Sequence, residues 1–371
     1  MVNIQVDREE VNYELMHLIS KWSIGMHIGF YNYYETYNKN RMFEDENAPI
    51  GDNLLYPFVY LKEYLISRGH TVSTIDLEDI DNFDSITFID FPKHDNQFFQ
   101  QIVDKNFKNL YLLIFESEVV RSDNWNEKNH LFFTKIFTWN DEWVDKEKYI
   151  KYYWPNKIPE SVVFNISNKK KLCTMIAGHK FINHNLELYS ERVKTIRWFE
   201  KNHPEDFDLY GIGWGEHRFK GELSVMNRLV ILLKVIQKLE RFKYKSYRGP
   251  VDSKKETLGK YKFAICYENA RDIPGYITEK IFDCFFAGCV PVYWGAPNVT
   301  SFIPEDTFIN RTKFNNHEEL YDYLKNMPDD EYVRYLNAIK NFVEGEKIHP
   351  FSAECFADTI IREIIKNDQF K

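Results

Sequence analysis

The fold of this chain is decided by one segment, Lys262–Trp294, which reads KFAICYENARDIPGYITEKIFDCFFAGCVPVYW. An apolar run at Lys262–Tyr267 predicts a strand, and Glu268–Ile277 predicts a loop. Apolar residues recur at helical spacing through Thr278–Ala287, and Val290–Trp294 is a second strand-like run. Strand, helix and strand in this order predict one right-handed crossover within a parallel sheet. Ligands of such sheets bind beyond the carboxyl ends of the strands, so we expect a ligand to bind at the loop Glu268–Ile277.

The same alternation of strands and helices extends over most of the chain. We predict strands at His27–Tyr34, Thr71–Leu77, Ser85–Asp90, Leu110–Phe115, Leu172–Ala177 and Phe207–Tyr210, and helices at Leu54–Arg68, Phe98–Phe107, Ser190–Lys201, Ser253–Lys260, Asp330–Val343 and Ser352–Lys366. This order is typical of α/β domains whose parallel sheets are covered on both faces. A chain of 371 residues is long enough for two of them. We therefore expect two doubly wound, Rossmann-like domains that face a central cleft, at residues 1–160 and 161–350, with a C-terminal helix at 351–371.

Composition excludes several classes of protein. There are 48 Lys and Arg residues against 56 Asp and Glu, a net charge of −8, whereas proteins that bind nucleic acid usually carry a basic face. We therefore expect no nucleic-acid partner. The number of cysteines, five, is odd, and no CxxC pair occurs, which predicts buried free thiols and a reducing compartment. Met1–Tyr13 is polar and acidic, unlike a secretory signal.

One uncharged stretch, Cys284–Pro304, has the length of a membrane span. Glycines at 288 and 295 and prolines at 291, 297 and 304 interrupt it. We therefore predict a helix end, a strand and a loop there, and a soluble protein.

Two predicted helices carry a cation in their first turn. Thr278 is the predicted N-cap of one helix, so that Glu279 and Lys280 follow in its first turn. Ser190 is the predicted N-cap of the other, which places Arg192 similarly. A cation there is unfavourable unless an anion binds, because the start of a helix is already positive. Together these positions predict a diphosphate site, although either cation alone is more typical of a surface residue.

Other cofactor signatures are incomplete. Gly211-Ile212-Gly213-Trp214-Gly215 is followed by Glu216 where a dinucleotide fingerprint has glycine, which disfavours a nicotinamide enzyme. Asp79-Ile80-Asp81 and Asp206-Phe207-Asp208 have a spacing that could chelate a metal, but in so acidic a chain they favour solvated loops. We expect no protein-bound metal.

A carboxylate follows the strongest strand of the first half. Glu116 lies at the end of the apolar run that begins at Tyr111, so it is expected to point into the cleft. A partly desolvated glutamate has a raised pKa and can act as a general base. Glu118 is an equally placed competitor, and a helix cap or salt bridge is the structural alternative. The aromatic run Phe30–Tyr34 favours a core strand over a platform for a sugar.

Three consecutive stretches resemble the α-1,3/4-fucosyltransferases. They are Tyr261–Asn269 (YKFAICYEN), Gly275–Asp283 (GYITEKIFD) and Ala287–Val299 (AGCVPVYWGAPNV). Weaker similarity extends upstream to Lys170 and includes Phe115-Glu116-Ser117. The resemblance implies a bacterial-type member of glycosyltransferase family 10 with the GT-B fold, whose C-terminal domain holds GDP-β-L-fucose and whose N-terminal domain holds the acceptor.

The resemblance also implies roles for single residues. The family's donor contacts fall on Asn269, Tyr276, Glu279 and Lys280, its diphosphate-binding arginine falls on Arg192, and its proposed catalytic base falls on Glu116. The reaction implied is an inverting transfer of fucose to O3 of N-acetylglucosamine or glucose. No tightly bound cofactor is implied, and a divalent cation would at most be stimulatory.

The expected acceptor is an oligosaccharide or glycolipid, such as a lipopolysaccharide with Lewis-antigen ends. The expected location is cytoplasmic, with at most peripheral contact at the inner membrane. Two alternatives stay open at this stage: a GT-B transferase that uses another nucleotide sugar, and a non-catalytic protein that binds sugar nucleotides or glycans.

Overall fold

Two parallel β-sheets form the framework of this computed structural model, which describes residues 25–46, 51–164, 166–169, 171–214 and 244–368. The first sheet has the strand order β2-β1-β3-β4-β5-β6, with β1 His27–Asn32, β2 Thr71–Thr74, β3 Ser85–Ile89, β4 Leu110–Leu113, β5 Lys135–Thr138 and β6 Tyr149–Lys151. The second has the order β11-β10-β9-β7-β8, with β7 Lys171–Ile176, β8 Phe207–Tyr210, β9 Tyr261–Tyr267, β10 Val290–Trp294 and β11 Ile309–Asn310. Every pair of neighbouring strands is parallel.

Helices connect and cover these strands. They are α1 Tyr56–Ile66, α2 Gln97–Asp104, α3 Glu127–His130, α4 Tyr189–Asn202, α5 Lys254–Leu258, α6 Glu279–Phe286, α7 His317–Asn326, α8 Asp329–Val343 and α9 Ala353–Asp368. The predicted two α/β domains are confirmed, and each predicted strand and helix is found within a few residues of its expected bounds. Strands β5, β6 and β11 and helices α3 and α7 were not predicted.

Local chemistry explains where these elements begin and end. Every residue of β3 is buried, as expected for a strand covered on both faces. Gly69 follows α1 with φ +80°, a left-handed conformation that glycine adopts without strain and that ends the helix. Ser253 caps α5 by accepting the Glu256 N–H. The stretch from Cys284 to Pro304 is the end of α6, then β10, then a loop, as predicted.

Each sheet has one point at which the order of its strands along the chain reverses. The chain order reverses between β1 and β3 in the first sheet and between β7 and β9 in the second. Such a reversal leaves a crevice at the carboxyl ends of the two flanking strands, where open α/β sheets bind their ligands. The loops that follow β7 and β9 are therefore the candidate ligand-binding loops of the second sheet.

The last helix returns to the first domain. Phe356, Ile360 and Ile364 of α9 pack with Leu61 and Leu65 of α1 in one buried cluster. The first sheet ends at Lys151 and the second begins at Lys171, on either side of the expected boundary at residue 160. That boundary, and the treatment of 351–371 as a separate element, stay predictions.

Two connections between the domains lie side by side. The Asn156 N–H donates to the Phe351 carbonyl oxygen at 2.8 Å, and the Ala353 N–H donates to the Asn156 carbonyl oxygen at 3.1 Å. Asn156 lies in the connection from β6 to β7, and Phe351 lies in the connection from α8 to α9. The outgoing and returning segments of the chain are thus hydrogen-bonded to each other.

All five cysteines are free thiols; Cys173, Cys266, Cys284 and Cys289 are buried, and Cys355 is half-buried. Free thiols were predicted. Among the described residues, every helix is too short or too polar to cross a lipid bilayer.

Ile360→Ala tests the packing of α9 against α1. Ile360 is fully buried, so its truncation leaves a cavity and is expected to lower the free energy of unfolding by about 2–5 kcal/mol. Urea unfolding of this variant and of Ile66→Ala, whose side chain is exposed on α1, measures the difference. Equal losses in the two variants would contradict the packing described here.

Candidate active site

The loop after β9 is closed by a buried carboxylate. Glu268 has no exposed surface, and its carboxylate accepts hydrogen bonds from the Thr278 N–H at 2.9 Å and the Thr278 hydroxyl at 2.7 Å. Thr278 is the N-cap residue of α6, as predicted, but its hydroxyl binds Glu268 and makes no cap hydrogen bond. Glu268 thereby fixes the point at which α6 begins.

Lys280 lies in the first turn of α6, as predicted. Its Nζ is 2.9 Å from Thr278 Oγ1 and 3.3 Å from both Glu268 Oε2 and Glu279 Oε1. Burial acts against its charge, but the carboxylates of Glu279 and Glu268 raise the pKa of Lys280 above its ordinary value. Lys280 is therefore a permanent cation at physiological pH.

Glu279 is held in its charged form by the same cluster. Burial opposes the charge, but the positive charges of Lys280 and Lys254 lower the pKa of Glu279 to about 2. Lys254 of α5 in turn forms an ion pair with Asp283 at 2.7 Å. Charges of alternating sign thus surround the start of α6.

Arg192 approaches the same loop from α4. Its guanidinium is almost fully buried and donates to the Tyr267 carbonyl oxygen at 2.6 Å and to Asn269 Oδ1 at 3.1 Å. The charge of Arg192 is near enough to Lys280 to oppose the raised pKa of that lysine. The structure therefore brings together the two cations that sequence spacing selected, on either side of Glu268.

The predicted N-cap role of Ser190 is wrong. Helix α4 begins at Tyr189 and Leu188 is its N-cap residue. The Ser190 N–H and hydroxyl both donate to the Glu187 carboxylate, so Glu187 supplies the acceptor that Ser190 was expected to supply. The shift leaves Arg192 in the first turn of the helix.

Tyr276 is buried between the two domains. It is 1 % exposed, and its ring centroid lies 4.5 Å from that of Trp139, which follows β5. The Asp141 N–H donates to the Pro274 carbonyl oxygen at 3.2 Å. Gly275 has φ +82°, and a Cβ there would lie 2.3 Å from the Trp139 carbonyl oxygen. Only glycine fits this close approach, so the loop after β9 is held against the first domain; the donor contact predicted for Tyr276 stays a prediction.

Glu116 faces the cations from the first domain. It is half-buried, and burial followed by the negative charge of Asp90 raises the pKa of Glu116 to about 7, while Lys180 and Lys280 oppose this shift. The competitor Glu118 lies 3.9 Å from His184. Of these two glutamates, Glu116 is the one whose charge interacts with Lys280 across the cleft.

Sequence reasoning missed two residues near Glu116, Lys180 and Asp90, and favoured a core role for a third, Tyr34. Lys180 lies in the loop after β7, Asp90 follows β3 and Tyr34 follows β1. Phe30 is fully buried while Tyr34 is 52 % exposed, so the aromatic run is core at one end only. Burial and the charges of Glu116 and Asp90 raise the pKa of Tyr34 to about 12. The rule that carboxyl ends of parallel strands meet at one edge would have pointed to Asp90 and Tyr34, whereas Lys180 follows a strand of the second sheet.

The two acidic triplets differ in their surroundings. Asp79 and Asp81 are exposed and pair with Lys105, as predicted. Asp208 is 2 % exposed on β8 and pairs with Lys171 and Arg248, so the prediction of a solvated loop is wrong there. No cluster of three or more potential metal ligands (His, Cys, Asp or Glu) occurs in the described part of the chain.

Comparison with known proteins identifies related sequences. A family model described as glycosyltransferase family 10 (fucosyltransferase), C-terminal part, matches residues 166–355. The chain is 43 % identical over 91 residues to an alpha-(1,3)-fucosyltransferase of Helicobacter pylori (24 % of this chain, 17 % of the relative). It is 40 % identical over 73 residues to an alpha-(1,4)-fucosyltransferase of Arabidopsis thaliana (20 % and 18 %). It is 28 % identical over 185 residues to 4-galactosyl-N-acetylglucosaminide 3-alpha-L-fucosyltransferase 9 of Bos taurus (48 % and 40 %). The chain thus spans less than half the length of these relatives.

The similarity of fold to solved structures covers nearly the whole chain. An alpha1,3-fucosyltransferase with GDP matches with a TM-score of 0.55 at 17 % identity, over 94 % of this chain and 92 % of that one. An alpha-glucosyltransferase in complex with UDP and DNA matches with a TM-score of 0.55 at 11 % identity, over 93 % and 100 %. At such identities the matches concern the fold alone.

Proposed function

The chain belongs to glycosyltransferase family 10, the fucosyltransferases, and has their GT-B fold; from this premise we propose that it transfers L-fucose from GDP-β-L-fucose to a hydroxyl group of an oligosaccharide. One observation carries the proposal. Lys280 and Arg192 of the second domain converge on one loop, and Glu116 of the first domain faces Lys280. A phosphate seat and a base therefore lie on opposite walls of one cleft.

The second domain is the proposed donor side. The pyrophosphate of GDP would bind Lys280, Arg192 and the positive end of the α6 helix dipole, because these supply positive charge where the leaving group becomes negative. Asn269 orients Arg192 through its side-chain oxygen, and Glu279 is placed for hydroxyl groups of the donor. Lys280 and Arg192 already supply positive charge to the phosphates, so the proposal includes no protein-bound metal or other tightly bound cofactor. A divalent cation is at most stimulatory.

The reaction is proposed as a single displacement. Glu116 accepts the proton of the acceptor hydroxyl while that oxygen bonds to C1 of fucose. The bond between C1 and the phosphate oxygen breaks on the opposite face, and its electron pair leaves with GDP. Attack on the face of C1 opposite the leaving group converts a β-linked donor into an α-linked product, so the transfer inverts the configuration at C1.

The proposed acceptor is a glycan with N-acetylglucosamine or glucose, fucosylated at O3, such as the ends of a lipopolysaccharide. The name of the Bos taurus relative, 4-galactosyl-N-acetylglucosaminide 3-alpha-L-fucosyltransferase 9, supports N-acetylglucosamine as the acceptor sugar and O3 as the acceptor atom. Incubation with GDP-fucose, other GDP-sugars and UDP-sugars, each with β-galactosyl and N-acetylglucosaminyl acceptors, tests the proposal. An α-1,3-fucosylated product identified by linkage analysis is expected. Transfer from a UDP-sugar alone, or no transfer from any donor, would contradict it.

Glu116→Gln tests the proposed base. The amide cannot accept the proton, so kcat is expected to fall about 10²–10⁴-fold while the Kd of GDP-fucose is unchanged. In the wild-type enzyme kcat/KM should rise with pH as Glu116 loses its proton and level off above about 7, which is where burial and Asp90 place its pKa. Steady-state kinetics across pH measures both effects.

Glu118→Gln is the matched control, because Glu118 is two residues away on the same segment. It should keep near wild-type kcat. Loss of activity in Glu118→Gln together with retained activity in Glu116→Gln would move the base to Glu118.

Lys280→Ala tests the phosphate seat. Removing a charge-assisted contact should weaken GDP binding about ten- to a hundredfold, measured by calorimetry. Lys262→Ala removes a lysine that pairs with an exposed aspartate at the other end of β9 and should leave GDP affinity unchanged. Equal affinity in both variants would remove Lys280 from the phosphate site.

Tyr34→Ala tests the acceptor side. Tyr34 is an exposed aromatic face beside Glu116, at the point where the first sheet reverses its order, and a sugar ring can pack on it. The variant should raise the acceptor KM about three- to tenfold with an unchanged donor KM, whereas Tyr34→Phe, which keeps the ring, should not. An unchanged acceptor KM in Tyr34→Ala would place the acceptor elsewhere.

A further inference from the structure

Asp90 lies directly behind Glu116, at the carboxyl end of the neighbouring strand β3. We propose that Asp90 is a positioning residue for Glu116, which fixes the peptide that carries the base and supplies a second negative charge beside it. This inference rests on the proposed function, because it takes Glu116 as the proton acceptor. It concerns a residue that neither the family resemblance nor the sequence spacing selected.

Asp90 holds the backbone on which Glu116 is mounted. One carboxylate oxygen, Oδ1, accepts three hydrogen bonds: from the Phe115 N–H at 2.8 Å, the Glu116 N–H at 3.1 Å and Asn124 Nδ2 at 2.7 Å. The side chain is 3 % exposed. After the end of β4 the Ile114 N–H still donates to the Phe137 carbonyl oxygen, and Asp90 supplies the acceptor for the two N–H groups that follow.

Asn124 and Trp125 bind the carbonyl oxygen of Glu116. The Asn124 amide nitrogen donates to the Glu116 carbonyl oxygen at 3.2 Å, and the Trp125 indole N–H donates to it at 3.1 Å. Asn124 is fully buried, and its side-chain oxygen Oδ1 accepts the Phe91 N–H at 2.6 Å. Both polar groups of the Glu116 backbone are therefore fixed, which limits the directions in which its side chain can reach the cleft.

The backbone of Asp90 is itself unusual. Its φ is +58°, in the left-handed region that most residues avoid and that Asp and Asn tolerate better than others. A buried residue in this conformation persists only where its surroundings demand it, and such residues collect at functional sites. Here the conformation turns the carboxylate toward the segment after β4.

A hydrogen-bond acceptor alone would not require a charge at this position. A neutral amide oxygen can accept the same N–H groups, whereas a buried carboxylate next to another carboxylate is costly. Burial raises the pKa of Asp90, and its N–H donors and Arg121 oppose that shift. The charge therefore has an effect that an amide would not have: it favours the protonated form of Glu116.

Several other groups face Glu116 and contribute to its proton affinity. Glu279 of α6 acts in the same direction as Asp90, while Lys180 after β7 and Lys280 of α6 act against it. The phenol groups that sense the charge of Glu116 are Tyr34, Tyr152, Tyr189 and Tyr276. Asp90 is the first-domain carboxylate of this set, so it is the one whose effect does not pass through the donor site. A base whose pKa lies near the working pH transfers protons most efficiently.

Asp90→Asn separates charge from geometry. Asparagine keeps an acceptor oxygen and tolerates the left-handed backbone, but it removes the negative charge. The acidic limb of kcat/KM against pH should move to lower pH by about one unit or more, and the alkaline plateau should fall because Glu116 becomes a weaker base. The Kd of GDP-fucose should not change. A folded Asp90→Asn with the wild-type pH profile would overturn the proposal.

Asp90→Gly tests the positioning half. Glycine adopts φ +58° without strain, so the variant loses the carboxylate without a conflict in the backbone. We expect kcat to fall about a hundredfold with an unchanged Kd for GDP-fucose. Wild-type kcat in this variant would show that the three hydrogen bonds are dispensable for the base and would also overturn the proposal.

Asp145→Asn is the matched control. Its Oδ1 likewise accepts three N–H groups, from Glu147, Lys148 and Tyr149, but it precedes β6 at the opposite edge of the sheet. This variant should leave the pH profile in place. A shift equal to that of Asp90→Asn would mean that the profile reports general stability, which would contradict the proposal.

A readout without turnover separates this inference from the proposed function. The carboxyl carbon of Glu116 can be titrated by ¹³C NMR in labelled protein, with its signal assigned by the signal's loss in Glu116→Gln. If no donor supports transfer, the proposed function fails. A lowered titration midpoint for Glu116 in Asp90→Asn would then still support the electrostatic contact, and an unchanged midpoint would reject it.

Discussion

The site depends on one buried charge, the carboxylate of Glu268. A carboxylate without solvent is costly unless it is paired and hydrogen-bonded. Glu268 meets this demand with two hydrogen bonds from Thr278 and the nearby ammonium of Lys280. Those contacts close the loop after β9, set the start of α6 and keep the lysine at the cleft. Arg192 binds the residues on either side of Glu268, so the second cation is placed by the same loop.

Sequence reasoning predicted the elements whose signals are local and strong. β9, α6 and β10 have long apolar runs with clear boundaries, and they were predicted to within a residue or two of the observed bounds. β6 has three residues and β11 has two, too few for a period to be visible, and their pairing depends on strands distant in sequence. The capping error at Ser190 has a similar cause. Glu187, which lies before the helix, accepts the N–H and the hydroxyl of Ser190, and residue propensity does not report such a contact.

The site was predictable only as far as it is local. A cation in the first turn of a helix is visible in the sequence, and this pattern selected Lys280 and Arg192. The neighbours of Glu116 are not visible in this way, because Asp90, Lys180 and Tyr34 follow three different strands in two domains. Their approach is a product of the strand order. Tyr276 was selected by the family resemblance as a donor contact. In the structure its ring packs on Trp139 of the other domain, a contact that the sequence does not reveal.

The two connections that join the domains, from β6 to β7 and from α8 to α9, limit how the cleft can open. They are hydrogen-bonded to each other at Asn156 and Phe351, so they bend as one unit. Two separated tethers would resist rotation, and a single tether would permit twisting about its own axis. Two connections that are hydrogen-bonded to each other favour rotation of the domains about a single axis. Rotation about that axis would change the separation between Glu116 and Lys280, which lie on opposite sides of the cleft.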